Sequence, residues 1–277
     1  MKKTLLTVLL CLSIYPFLSQ ELEEINNGNN NKSSFYLYWG WNRGWFSNSN
    51  INFSGENYDF TLYKVKASDR PTAFDPSIYF NPGLVTIPQY NFRLGYFIKE
   101  NYTISFGIDH MKYIMINGQN VKISGEINNS NTAYDGVYSN DDFEITEDFL
   151  KFEHSDGLNF ANIECRRFDK IFEYKKVNVN ITEGLGLGIL YPKTNATLMN
   201  KERYDAFNLA GFGIVSVIGV NIKFYNKFFI QSELKGGYIN MPNIRTTLNE
   251  SDRAKQSFFF AQFNWLFGIS FNIGGSK

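Results

Sequence analysis

Phe258-Phe259-Phe260-Ala261-Gln262-Phe263-Asn264-Trp265-Leu266-Phe267-Gly268-Ile269-Ser270-Phe271-Asn272-Ile273 ends four residues before the chain does. Successive side chains of a strand point to opposite sides. Taking every second residue puts Phe259, Ala261, Phe263, Trp265, Phe267, Ile269, Phe271 and Ile273 on one face, against Phe260, Gln262, Asn264, Gly268, Ser270 and Asn272 on the other. One face is wholly apolar and the other mostly small or polar. A strand in a soluble sandwich is about half as long, whereas a tilted strand crossing a bilayer needs ~9 to 11 residues in the hydrocarbon and often runs past it. The stretch predicts a strand between lipid and a polar interior, with the rest of the chain closing a barrel on it.

The 277 residues suit one barrel or two small domains. Formal net charge is zero, so no excess of cations is present to neutralise phosphates, and a nucleic-acid partner is not expected. Aromatic residues make up 17% while mean hydropathy is slightly negative, the combination expected when half of each membrane strand is polar. Lys2 and Lys3, an apolar run over 5–12 and Ser19 before Gln20 read as a secretory signal over 1–19. Leu10 is too large to precede a lipoprotein cysteine at Cys11, and loss of Cys11 with the signal leaves Cys165 without a disulfide partner. The uncharged run 207–222 is too short for a membrane helix and too rich in Gly and β-branched residues, so it reads as a strand.

After a polar, Asn-rich leader over 20–34, expected to be disordered, the first strand is predicted at 35–43, with Trp39, Trp41 and Trp45 suited to an interfacial aromatic belt. The stretch 47–88 contains Pro71, Pro76, Pro82 and Pro88, which exclude a central strand; it reads as a long external loop with a short β arm at 58–66. Tyr90, Phe92, Leu94 and Tyr96, then Tyr102, Ile104, Phe106 and Ile108, alternate with small or polar residues across a tight connection and form a hairpin. The acidic stretch 117–155 reads as a second loop, followed by strands at 158–168 and 177–191, a loop at 192–205, strands at 207–224 and 228–240, and a last loop at 241–255. Short links follow the strands ending near Ile98, Phe168 and Phe224, and long ones those ending near Arg43, Asn117, Tyr191 and Asn240. The count is eight. Ten strands, with a further one inside 67–84, is the fallback.

Gly268, Phe271 and Ile273 look like the assembly signal of bacterial outer-membrane barrels, a glycine followed by two apolar residues spaced by two. Over 35–273 the chain resembles small outer-membrane β-barrel proteins of Gram-negative bacteria, although Gly274 to Lys277 follow as a short tail. The resemblance implies an all-β, eight-stranded antiparallel up-and-down transmembrane barrel with short periplasmic turns and long external loops. It implies an outer-membrane location, contact with outer-membrane lipids, and dependence on periplasmic chaperones and the barrel-assembly machinery. It implies no cofactor and leaves any external ligand unnamed.

Carrying the two-residue period through each strand sends Arg93, Asp109, Glu164, Arg166, Glu233 and Lys235 inward. An eight-strand interior is just wide enough for side chains, so three cations and three anions there are expected to pair as a plug rather than line a pore. Gly184, Gly186 and Gly188 lack the helix of a dinucleotide loop and read as small inward residues making room for others. Glu183 falls on the lipid side by strict alternation, and a bulge is expected to turn it inward. His154, Ser155 and Asp156 are similar to the His/Ser motifs of outer-membrane phospholipase and lipid A deacylase barrels. Those motifs are spaced by two, whereas His154 and Ser155 are adjacent and would point oppositely in a regular strand; an ordinary strand-entry turn at Asp156-Gly157 is the competing reading. Two scattered histidines make no metal signature, and Asp141, Asp142, Glu144, Glu147 and Asp148 lack calcium-loop spacing. The expected role is non-catalytic, in surface interaction, envelope structure or small-ligand passage; a lipid-directed serine hydrolase is the alternative.

Overall fold

A computed structural model describes residues 31–272, Val85 excepted. The expected signal, Cys11, most of the leader, Ile273 and the tail lie outside the described residues. Among the described residues fifteen strands form one antiparallel sheet system. Eight of them close a ring: β1 (Ser34–Phe46), β5 (Tyr90–Phe97), β6 (Tyr102–Met115), β9 (Leu150–Tyr174), β10 (Val177–Leu190), β13 (Gly211–Phe224), β14 (Phe228–Arg245) and β15 (Arg253–Asn272). Each pairs with the next member in chain order, and β15 returns to β1 with Trp265 opposite Trp41 and Phe271 opposite Phe35. This is the up-and-down barrel expected from the opening stretch, closed by that stretch.

The outside of the ring is apolar. Phe259, Trp265, Phe267 and Ile269 of β15 are exposed, as are Ile104 and Phe106 of β6, Leu185 and Leu187 of β10, and Ile214 and Ile218 of β13. Exposed apolar side chains all round a closed ring form a lipid-facing wall, because hydrocarbon, unlike water, imposes no cost on them. Outward polar groups bound the band on the loop side: Arg43 on β1, Lys112 on β6 and Asp156 on β9, the last bonded to Lys193 at 3.1 Å. On the other side lie the tight turns containing Lys99, Lys175, Lys176 and Lys227. On β9 the exposed, ion-paired Asp156 puts 150–157 on the loop side of this apolar band, and the remainder of the strand runs through it. Among the described residues no helix is long and apolar enough to cross a membrane.

The loops differ most from expectation. The first contains a strand where the arm is expected, β3 (Tyr58–Val65), paired in a hairpin with a further strand, β2 (Ser49–Gly55), and followed by β4 (Ala67–Ser68) and the one-turn helix α1 (Pro76–Tyr79). The acidic stretch contains β7 (Asn120–Ile127) and β8 (Gly136–Glu144), and the third loop contains β11 (Lys193–Leu198) and β12 (Tyr204–Phe207). The outer end of β15 pairs with β2, β2 with β3, β3 with β7 and β7 with β8, so the sheet continues out of the barrel. On the opposite flank the outer end of β9 pairs with β11, and β11 with β12. β9 is thus much longer than the predicted 158–168. A bulge splits it, with Ser155, Asp156 and Gly157 facing the single residue Lys112, and Gly157 at φ 134° takes a conformation that suits glycine alone.

The extension folds over its own core. Phe53, Phe60, Ile123, Phe149 and Phe152 pack with Tyr113, Ile239, Met241 and Phe258 from the barrel strands, all at most 2% exposed. This core runs down into the barrel mouth as far as Phe160, Val215 and Phe260.

Candidate functional site

β5, β6, β9 and β14 carry the six expected charges, and the two-residue period turns each of them into the lumen, where each is at most 1% exposed. The structure brings them together as one network. Glu164 is its centre: Oε1 lies 2.6 Å from Arg93 Nη2 and 2.9 Å from Lys235 Nζ, and Oε2 lies 2.5 Å from Arg166 Nε. Arg166 also pairs with Glu233, and Lys235 with Asp109 at 2.8 Å. A charge withdrawn from water is tolerated only when paired and hydrogen-bonded. Neutral groups supply the remaining bonds. Tyr38 Oη accepts from Arg93 Nε and Arg166 Nη2, each at 3.0 Å; Asn162 donates to Asp109 at 2.9 Å, and Asn264 to Glu233 at 3.2 Å. Asn91 donates to Asp109 at 2.5 Å. Tyr38, Asn91, Asn162 and Asn264 were missing from the sequence-based set. The signal that finds the charges, inward parity on a barrel strand, finds these too once neutral polar residues are included.

The glycines of β10 make the space. A Cβ on Gly184 would meet Arg166 Cγ at 2.7 Å, and one on Gly186 would meet Glu164 Cγ at 2.5 Å, so the two central side chains lie across bare backbone. Glu183 departs from expectation. The nearby irregularity, between Val179 and Asn180, leaves the extra residue on the partner strand at Ile171, so alternation along β10 is unbroken. Glu183 stays on the outer wall, paired in register with Arg167, which holds Asp169 at 2.8 Å. The carboxylate is accommodated by a neighbouring guanidinium rather than by inversion.

The network is the middle of three layers. Toward the short turns lies an aromatic layer of Tyr36, Phe97, Phe168 and Phe229 with Leu266. A cavity of about 20 Å³ bordered by Tyr36, Phe97, Phe168 and Lys223 has room for about one water. Toward the extension lies the apolar core at Phe160, Val215 and Phe260.

The His154-Ser155-Asp156 segment does not assemble. His154 points into the extension core beside Tyr113 and Phe152, with Nδ1 3.1 Å from Thr194 Oγ1. Ser155 points the other way and donates to Glu153 Oε1 at 2.9 Å, which also accepts from Asn195 at 2.9 Å. Asp156 is exposed and bound to Lys193. Burial holds His154 down at about 3, so its imidazole is neutral at ordinary pH, but among the described residues no serine hydroxyl is presented to it. His110 is stacked on Tyr90 and bonded to Asn159 at 2.8 Å. Among the described residues no three His, Cys, Asp or Glu side chains cluster as metal ligands would. Asp141, Asp142 and Glu144 lie along β8, where the outer sheet ends; charge and the irregularity at Ser124 blunt that edge against further strand pairing.

Gly268 faces inward beneath the Phe229 ring, and Phe271 faces outward with its ring 5.9 Å from that of Phe35. No family model matches the chain, and no curated protein matches it. Among solved structures it is similar to the outer membrane protein OprG of Pseudomonas aeruginosa, with 10% identity, 88% of this chain and 98% of that one covered and a TM-score of 0.39. It is also similar to the outer membrane protein AlkL, with 9% identity, 90% and 95% covered and a TM-score of 0.41. The attachment invasion locus protein Ail of Yersinia pestis is similar at 8% identity, with 85% and 99% covered and a TM-score of 0.31.

Proposed function

We propose that this chain is an outer-membrane β-barrel with a non-catalytic role, a closed membrane anchor that presents a folded β-extension for surface interaction. The observation that carries the reading is the filling of the lumen by three successive layers, aromatic, ionic and apolar. A barrel meant for passage keeps a path along its axis, and an eight-strand ring has little to spare. Here the loops that could have framed an entrance are spent on strands packed over a common core. The opposed orientations of His154 and Ser155 favour the non-catalytic role over lipid hydrolysis.

Planar-bilayer recording of the refolded full chain tests this. The expected result is insertion without discrete conductance steps. Stable steps would overturn the closed-anchor reading and restore passage of a small ligand.

A further inference from the structure

The first external loop packs back against the barrel. After β4 the chain comes down the outer wall of the barrel, forms α1, and returns to β5. Both ends of this segment are fastened to β1, the second of them on its lumen-facing side, where Asn42 and Gln89 are buried. Gly44 N donates to Asp69 Oδ2 at 3.0 Å, and Gln89 Nε2 donates to Asn42 Oδ1 at 3.1 Å. Lys112 Nζ ties its two limbs together, donating to Thr72 Oγ1 at 3.2 Å and to the Ile87 carbonyl at 3.0 Å.

The strap carries an aromatic knob. Trp41, on the lipid-facing side of β1, has its ring 5.7 Å from that of Phe267 on the same wall, and 5.4 and 5.7 Å from those of Tyr79 and Phe80 on the strap. Phe74 completes the cluster, 5.2 Å from Tyr79. Tyr79 is 5% exposed, yet Phe74 and Phe80 are 68% and 66% exposed. Two large apolar rings exposed beside the lipid-facing surface and continuous with it through Trp41 mark an interaction face.

The backbone sets how deep such a face can go. Irregular chain exposed to hydrocarbon leaves amides unsatisfied. α1 reduces that cost: Asp75 caps it by accepting from Ser77 N at 2.8 Å, and Tyr79 N and Phe80 N donate to Asp75 O and Pro76 O at 2.9 and 3.1 Å. The exposed Asp75 carboxylate must still stay among headgroups or water.

We propose that Phe74 and Phe80 are seated in the outer leaflet at the boundary between headgroups and acyl chains, so that this strap is a lipid-bound part of the barrel rather than a surface loop. The inference rests on the reading of the barrel as membrane-spanning, and its test separates the two. Single cysteines at Phe74→Cys and Phe80→Cys, in a Cys11→Ser/Cys165→Ser background, are spin-labelled after reconstitution into phosphatidylcholine vesicles. Collision with oxygen is then compared with collision with a water-soluble nickel chelate. Leu187→Cys, on the exposed wall of β10, reports lipid, and Val137→Cys, 79% exposed on β8, reports water. Labels at 74 and 80 are expected to favour oxygen over nickel several-fold relative to the label at 137, and less strongly than the label at 187. If 187 reads as lipid while both 74 and 80 match 137, the strap proposal is overturned. If 187 itself reads as water, the membrane-spanning reading fails first.

Discussion

A neutral histidine in an apolar core gives the outer extension a pH dependence whose sign can be worked out. His154 is fully enclosed beside Phe152 and Tyr113, and burial alone holds it at about 3. In the unfolded chain the imidazole takes up a proton near its ordinary value of about 6.5. Between those values the unfolded state binds more protons than the native one, so stability is full above about 6.5 and falls as pH drops toward 3. At ~1.4 kcal/mol per pH unit, the loss at pH 5 is ~2 kcal/mol, roughly a 30-fold change in an opening equilibrium. Hydrogen exchange of the amides in 150–154 and 194–198 measures this. Wild-type protection should drop by about that factor between pH 7 and pH 5 beyond any change seen in His154→Phe, which keeps an aromatic ring in the core and removes the titration. Equal acid sensitivity in the two proteins would rule out His154 as the cause. The same side chain shows why the His/Ser pattern was deceptive: adjacency in a strand separates two residues across a sheet, and this sheet buries one of them.

At the scale of the element, the last strand has two duties that its two faces divide. Its inner residues Gln262 and Asn264 are fully buried, while Phe267, Ile269 and Phe271 face outward, with Phe271 stacked on Phe35 where the ring closes. Placing charge on that outer edge should stop the closing strand from entering lipid. Phe271→Asp with Ile273→Asp is expected to abolish membrane assembly, read as loss of the heat-modifiable folded species from the membrane fraction; normal insertion would remove these residues from the assembly signal. This strand was legible because its alternation is unbroken across the bilayer. β9 was not. Its outer part reads Leu150, Phe152, His154 in alternation, but the bulge at Ser155 to Gly157 resets the period before Leu158 and Phe160, and a second irregularity at Ile171 resets it again. The strands β7 and β8 were hidden for another reason. They lie in an acidic stretch, and only one face of β7, with Val121, Ile123 and Ile127, is buried, so composition outweighed a short pattern. Alternation also could not tell Glu183 from a misfit, because what accommodates it is Arg167 on a neighbouring strand.

For the whole molecule, the layers stack along one axis, so on the proposed closed-anchor reading each is a separate barrier. Arg166 and Glu233 pair with each other and neither pairs with Asp109, and removing both leaves Arg93 and Lys235 still paired with Glu164 and Asp109, so charge remains balanced. The variant Arg166→Ala/Glu233→Ala therefore avoids stranding a lone buried charge, the costliest way to damage such a network. It opens space in the middle of the lumen but leaves Tyr36, Phe168 and Phe229 on one side and Phe160, Val215 and Phe260 on the other. Water and ions would have to cross both. Bilayer recordings of this variant should stay as silent as those of the native protein. Steps appearing from the ionic-layer change alone would mean that the aromatic and apolar layers do not seal, and that the six charges hold the barrel shut by themselves.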